Sequence, residues 1–166
     1  MAVCYRSTFT FEIPAQRRRV ARVLLADSDL ASRLALKTVL ATAGYAVECA
    51  GSAREAVDRL DTAEYQLVLA DLRAESEDSG AQLLAYARQK EFRPATALIF
   101  SQLSEIGAAI DYPQPGCESV VRMTDEDVYY LLGRVADMIS QRADRRMLRN
   151  AHRGAGFRSE VERNLS

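Results

Sequence analysis

From Val20 onward the apolar positions fall into short unbroken runs, separated by stretches in which they recur at helical spacing. The first run, Val23-Leu24-Leu25-Ala26, stops at Asp27-Ser28-Asp29, which predicts a strand buried on both faces and ending on carboxylates. Leu30 to Ala43 then carries Leu34, Val39, Leu40 and several alanines at helical spacing, and Gly44 stands where a helix C-terminal glycine belongs. The unit repeats: Tyr45 to Cys49 alternates like a strand, and Ser52-Ala53-Arg54-Glu55 is a capping box that opens a helix through Leu60. Tyr65 to Ala70 is a third apolar strand and ends on Asp71. A polar loop from Arg73 to Gly80 leads to a helix over about 81–90, and Pro94 opens a fourth strand, Thr96 to Phe100, that ends at Ser101.

Between Ser104 and Gly116 the pattern predicts only a short helix around Ile106 to Ile110 and a loop marked by Pro113, Pro115 and Gly116. A fifth strand, Ser119 to Arg122, precedes Thr124-Asp125-Glu126-Asp127, a helix start whose acids suit the positive end of the dipole. The helix that follows bears a broad apolar stripe of Val128, Leu131, Leu132, Val135, Met138 and Ile139. Strands alternating with helices in this way predict an α/β fold, a doubly wound five-stranded parallel sheet with helices on both faces. In such sheets polar chemistry gathers at the carboxyl ends of the strands. Asp27, Asp71 and Ser101 stand at three of those ends. One strand that stops on a polar residue has simply reached water, but three at once point to a site.

Composition narrows the chemistry. The 166 residues allow one domain with a full core, and 48% hydrophobic with 27% charged residues is ordinary for a globular chain. A net charge of -1 provides no general field for nucleic acid or anionic membrane. Cys4, Cys49 and Cys117 lack the paired spacing of zinc sites or disulfide frameworks and read as reduced thiols. His152 is the single histidine, which removes histidine metal clusters and a Ser-His-Asp triad. No run approaches the ~20 apolar residues that span a bilayer, and the basic residues near the N-terminus follow its apolar stretch, the reverse of a secretory signal. A cytoplasmic location is expected.

The series VLLADSDLASR, VLADLR, ALIFSQ and SVVRM resembles the signature of bacterial response-regulator receiver domains over about 19–140. The resemblance implies the flavodoxin-like fold of that family and a non-enzymatic signalling role within a two-component system, with phosphate passing from a sensor histidine kinase or phosphotransfer protein to an aspartate. It makes Asp71 the phosphoacceptor, Ser101 the hydroxyl that contacts the phosphoryl group, and Arg122 the residue at the position of the family's lysine. It places Mg2+ on Asp27, Asp71 and the backbone carbonyl of Arg73. A carboxylate is a weak nucleophile that needs a cation beside it, and Mg2+ accepts hard oxygen ligands while keeping several waters.

This sequence departs from the family pattern around that centre. Ser28 stands where a second acid is usual, and Asp29, one position on, reads as the helix cap, so weaker metal binding is expected. The only lysines are Lys37 and Lys90, and Arg122 keeps a positive charge without the compact ammonium. Met123 stands in place of a proline, the loop after Asp71 lacks its usual proline, and that loop is one residue longer. A degenerate receiver that signals by binding alone is therefore the alternative. LLADSD also resembles the opening of haloacid-dehalogenase-type phosphatases, with Asp27 as nucleophile and Asp29 as acid/base, but no lysine follows Lys90 and Asp71 precedes Ser101, the wrong order for that family.

Residues 1–18 are read as an N-terminal extension, 19–140 as the receiver, and 141–166 as a basic C-terminal helical extension and tail. The tail holds seven arginines and His152 against Asp144, Glu160 and Glu162. Its expected form is a solvated helix through about Asn150 followed by a flexible Gly154/Gly156 segment, with nucleic acid not expected as a partner because Phe157 is its one aromatic. The expected output is contact with a downstream protein target, with homodimerisation admitted and no membrane contact.

Overall fold

The computed structural model describes residues 20–71, 79–100, 119–122 and 128–164, and among these the side chains other than those of 100, 119–122 and 153–164. Its elements run β1 (Arg22–Asp27), α1 (Leu30–Thr42), β2 (Ala46–Ala50), α2 (Ala53–Thr62), β3 (Leu67–Asp71), α3 (Ser79–Gln89), β4 (Ala95–Phe100), β5 (Ser119–Arg122) and α4 (Val128–Asn164). The five strands form one sheet in the order β2-β1-β3-β4-β5, every pairing parallel. The expected short helix around 106–110 lies outside the described residues.

Parallel strands must be covered on both faces, and their alternation sorts the core into two layers. Val23, Leu25, Leu67, Leu69, Ala97 and Ile99 face α1 and α4, meeting Leu36, Leu40, Leu131, Val135 and Met138. Leu24, Ala26, Val68, Ala70 and Leu98 face α2 and α3, meeting Ala56, Leu60, Leu83, Leu84 and Ala87. The sheet is thus doubly wound, as the apolar runs predict.

Local signals explain the element ends. At the close of α1 the amide of Tyr45 donates to the Leu40 carbonyl at 3.2 Å and that of Gly44 to Ala41 at 3.0 Å, a Schellman motif with Gly44 at φ +93°. At α2 the Ser52 hydroxyl accepts from the Glu55 amide at 3.1 Å, while Glu55 accepts from Gly51 at 2.8 Å rather than from Ser52 itself. The third strand begins at Leu67, later than Tyr65, because the chain enters the sheet through Gln66, whose side-chain oxygen takes the Arg22 amide at 2.7 Å.

The last helix overruns the expectation. It continues without a break from Val128 to Asn164, through Gly154 and Gly156, where a flexible segment was expected after Asn150. A glycine inside a helix costs only about 1 kcal/mol relative to alanine, and the neighbouring Ala, Arg and Glu residues favour the helix. Its 37 residues give a rod of about 55 Å. The rod lies on the sheet as far as Arg142, which is 5% exposed, and beyond it Met147 and Leu148 stand exposed.

Candidate functional site at the carboxyl ends of β1 and β3

The strand order turns around β1 and β3, because the chain leaves β1 towards β2 and returns to the other side for β3. Helices on opposite faces leave a crevice at the carboxyl ends of such a pair. Asp27 and Asp71 end the two strands and are register partners, so their backbones stand side by side. The amide of Ser28 reaches the Asp71 carbonyl at 3.4 Å.

Asp27 is 2% exposed. One oxygen, Oδ1, accepts the Asp29 amide at 2.8 Å, while Oδ2 is buried with no hydrogen-bond partner among the described residues. Burial pushes its carboxyl above the usual range; the Ser32 side chain and the Asp29 amide draw it partly back, and the carboxylates of Asp71 and Asp29 raise it again. A buried carboxylate oxygen without a donor is an uncompensated cost, which a cation seated against it would remove.

Asp29 is not available for that seat. Its side chain accepts the Ser32 amide at 2.7 Å with its own backbone extended, the geometry of an N-cap, so it caps the start of α1 as the sequence predicts. Ser28 follows β1 directly. Among the described residues no cluster of three acidic, histidine or cysteine side chains could hold a metal ion, and any divalent ion must complete its shell with backbone carbonyls and water.

The other expected residues are partly placed. Arg122 ends β5, and its backbone pairs with Phe100, the residue before Ser101. Its side chain, and Arg73, Ser101 and Met123 entirely, lie outside the described residues.

Arg33 belongs to the site although no motif singles it out. Its guanidinium donates from Nη1 to the Asp27 carbonyl, tying the second turn of α1 to the end of β1. Gly51 makes room for it, since a Cβ there would stand 3.2 Å from the same nitrogen. The sequence signal is slight: a basic residue four positions beyond a helix cap.

A family model described as the response regulator receiver domain matches residues 23–122, which run from the second residue of β1 to the end of β5. The chain belongs to that family. Three solved structures illustrate how far the receiver fold is shared. A response regulator receiver protein from Sinorhizobium medicae is 22% identical, with a TM-score of 0.60, over 75% of this chain and 98% of its own. The response regulator TrrA of Thermotoga maritima, in complex with Mg2+ and BeF, is 19% identical with a TM-score of 0.58, over 72% of this chain and 99% of its own. TrrA in complex with the histidine kinase ThkA aligns at 19% identity and a TM-score of 0.56, over 72% of this chain and 98% of the other. No curated protein sequence matches the chain significantly. Receiver domains are signalling modules, and among the described residues of this one no helix is long and apolar enough to cross a membrane.

Proposed function

We propose that this receiver domain is a phosphoacceptor switch, with Asp71 as the residue that takes the phosphoryl group. The observation that carries the reading is the buried, unpartnered Oδ2 of Asp27 beside the end of β3. The donor set suits Mg2+, with Asp27 and Asp71 supplying carboxylate oxygens, the Arg73 carbonyl a third ligand, and water the rest. When bound, Mg2+ offsets the charge of the acceptor and of the incoming phosphoryl oxygens.

The protein's own part is to position and to stabilise. A carboxylate oxygen of Asp71 attacks phosphorus in line, the P–O bond forms as the P–N bond of a phosphohistidine breaks, and the leaving nitrogen keeps the electron pair and takes a proton. Ser101 donates a hydrogen bond to the phosphoryl oxygens, and the Arg122 guanidinium pairs with them, more broadly than an ammonium would. The proposed donor is a sensor histidine kinase or phosphotransfer protein; TrrA, a relative by fold, is known in complex with a histidine kinase. The output is contact with a downstream protein target in the cytoplasm, with self-association of the phosphorylated form as a further route.

The test is the intact mass of the full chain after incubation with phosphoramidate and Mg2+, compared with Asp71→Asn. One added phosphate, labile to base and absent from the variant, is the expected result. A second reading has its own support: Asp29 is committed to capping α1, which leaves one acid fewer for the metal than the family pattern has. Failure to form the adduct at any Mg2+ concentration would favour that reading, a receiver that signals by binding alone.

A further inference from the structure

The amino ends of the strands, the edge opposite Asp27 and Asp71, carry a second polar feature. A cleft of about 480 Å³ opens between the turn after α3 and the overhanging part of α4. Arg93, Arg146 and Arg149 line it with Lys90, and the carboxylates on its wall are Glu64 and Glu91. Lys90 is occupied with Asp61, to which it donates from Nζ. Arg93, Arg146 and Arg149 form no ion pair among the described residues.

Behind this wall lies a buried cation. Arg142 donates from Nε to the Arg93 carbonyl at 3.0 Å and from Nη2 to the Phe92 carbonyl at 2.6 Å. Its partners are carbonyls, so its charge is solvated but not neutralised. Burial lowers its affinity for the proton, the nearby Arg146 lowers it further, Glu64 opposes this, and Arg149 and Arg145 add to the repulsion. Four arginines at 142, 145, 146 and 149 thus share one face of α4 and repel one another across it.

The turn itself is strained. Arg93 has φ +40°, the one non-glycine residue with positive φ among those described, and it precedes Pro94. A left-handed arginine costs on the order of 1 kcal/mol and persists only where its surroundings hold it there. Here the two bonds from Arg142 hold it, together with the bond of 2.9 Å from the Arg93 amide to the Lys90 carbonyl. Strain, unneutralised charge and a concave space of ligand size meet at one place.

We propose that this cleft is a binding site for a phosphate-type oxyanion, held by the guanidinium groups of Arg93, Arg146 and Arg149. Guanidinium forks match the geometry of phosphate oxygens, and an anion here relieves the repulsion along α4. A free phosphate compound fits better than a nucleic-acid backbone, because the basic groups line one concave space and Glu64 and Glu91 interrupt the basic surface that an extended polyanion would follow.

The test is calorimetric titration of the full chain with sodium pyrophosphate, without Mg2+, against sodium chloride at matched ionic strength. Saturable binding above the chloride control is expected, weakened about tenfold or more in Arg149→Gln, which removes one bidentate donor. Arg93→Gly is the discriminating variant. It relieves the φ +40° backbone, so its thermal midpoint should hold or rise while its pyrophosphate affinity falls by a similar factor. Equal heats for pyrophosphate and chloride would overturn the proposal, as would unchanged affinity in both variants. So would binding of duplex DNA that depends on Arg153 and Arg158 but not on Arg93.

Discussion

The carboxylate of Asp27 is buried at the end of β1 with one oxygen bonded to the Asp29 amide and the other bonded to nothing among the described residues. Without a cation, that arrangement keeps a charge out of water next to a second carboxylate. Asp27→Asn should therefore stabilise the metal-free chain by about 1 kcal/mol, read as a higher urea midpoint in EDTA. In Mg2+ the wild type should gain stability by mass action and the variant should not. A variant less stable in EDTA, or one that gains as much from Mg2+, would contradict the metal assignment. Tyr65 couples stability to alkaline pH. It is fully buried, and its hydroxyl donates to Glu48 Oε2 at 2.7 Å. Burial, helped by the Glu48 carboxylate, pushes its phenol up to about 12 from an ordinary value near 10. Because the folded value is the higher, the contribution is fully present below pH 10 and is lost as the pH rises through about 12. The loss should be on the order of 2 kcal/mol, and Tyr65→Phe should abolish that part of the alkaline decline in unfolding free energy.

Elements show which signals in the chain carried structure. The end of α1 was legible because Gly44 meets a need that few residues can: φ of +93° with nothing within 4 Å of where a Cβ would stand. Gly44→Ala should accordingly cost about 1 kcal/mol through backbone strain alone, with no clash to relieve, measured as a lower denaturation midpoint. The strands were legible because runs such as Val23 to Ala26 bury both faces, and the cap at Asp29 because an acid preceded a helical pattern. What the pattern missed is long-range. Arg33 reaches the Asp27 carbonyl only because α1 folds back over β1, and nothing within its own helix marks it. The overrun of α4 was missed for the opposite reason, since Gly154 and Gly156 are strong local breakers set against a helix already formed. Of the expected site, Asp27 and Asp71 are brought together, and Arg122 ends a strand whose register the structure gives.

At the scale of the whole molecule, the doubly wound sheet separates two polar regions. Asp27 and Asp71 occupy the carboxyl edge, where the strand order turns, and the arginine-lined cleft occupies the amino edge, with α4 running from one edge to the other. The core between them is apolar on both faces, so the charge chemistry stays at the edges. The proposed Mg2+-dependent phosphoacceptor is the carboxylate pair at the ends of β1 and β3, and phosphate uptake mapped to a peptide tests it directly. The full chain is exposed to phosphoramidate with Mg2+ or with EDTA, digested, and each peptide weighed. One phosphate on the peptide that contains Asp71, formed with Mg2+ and absent with EDTA, is the predicted result; uptake that ignores Mg2+, or a phosphate on Asp27 or elsewhere, would contradict it.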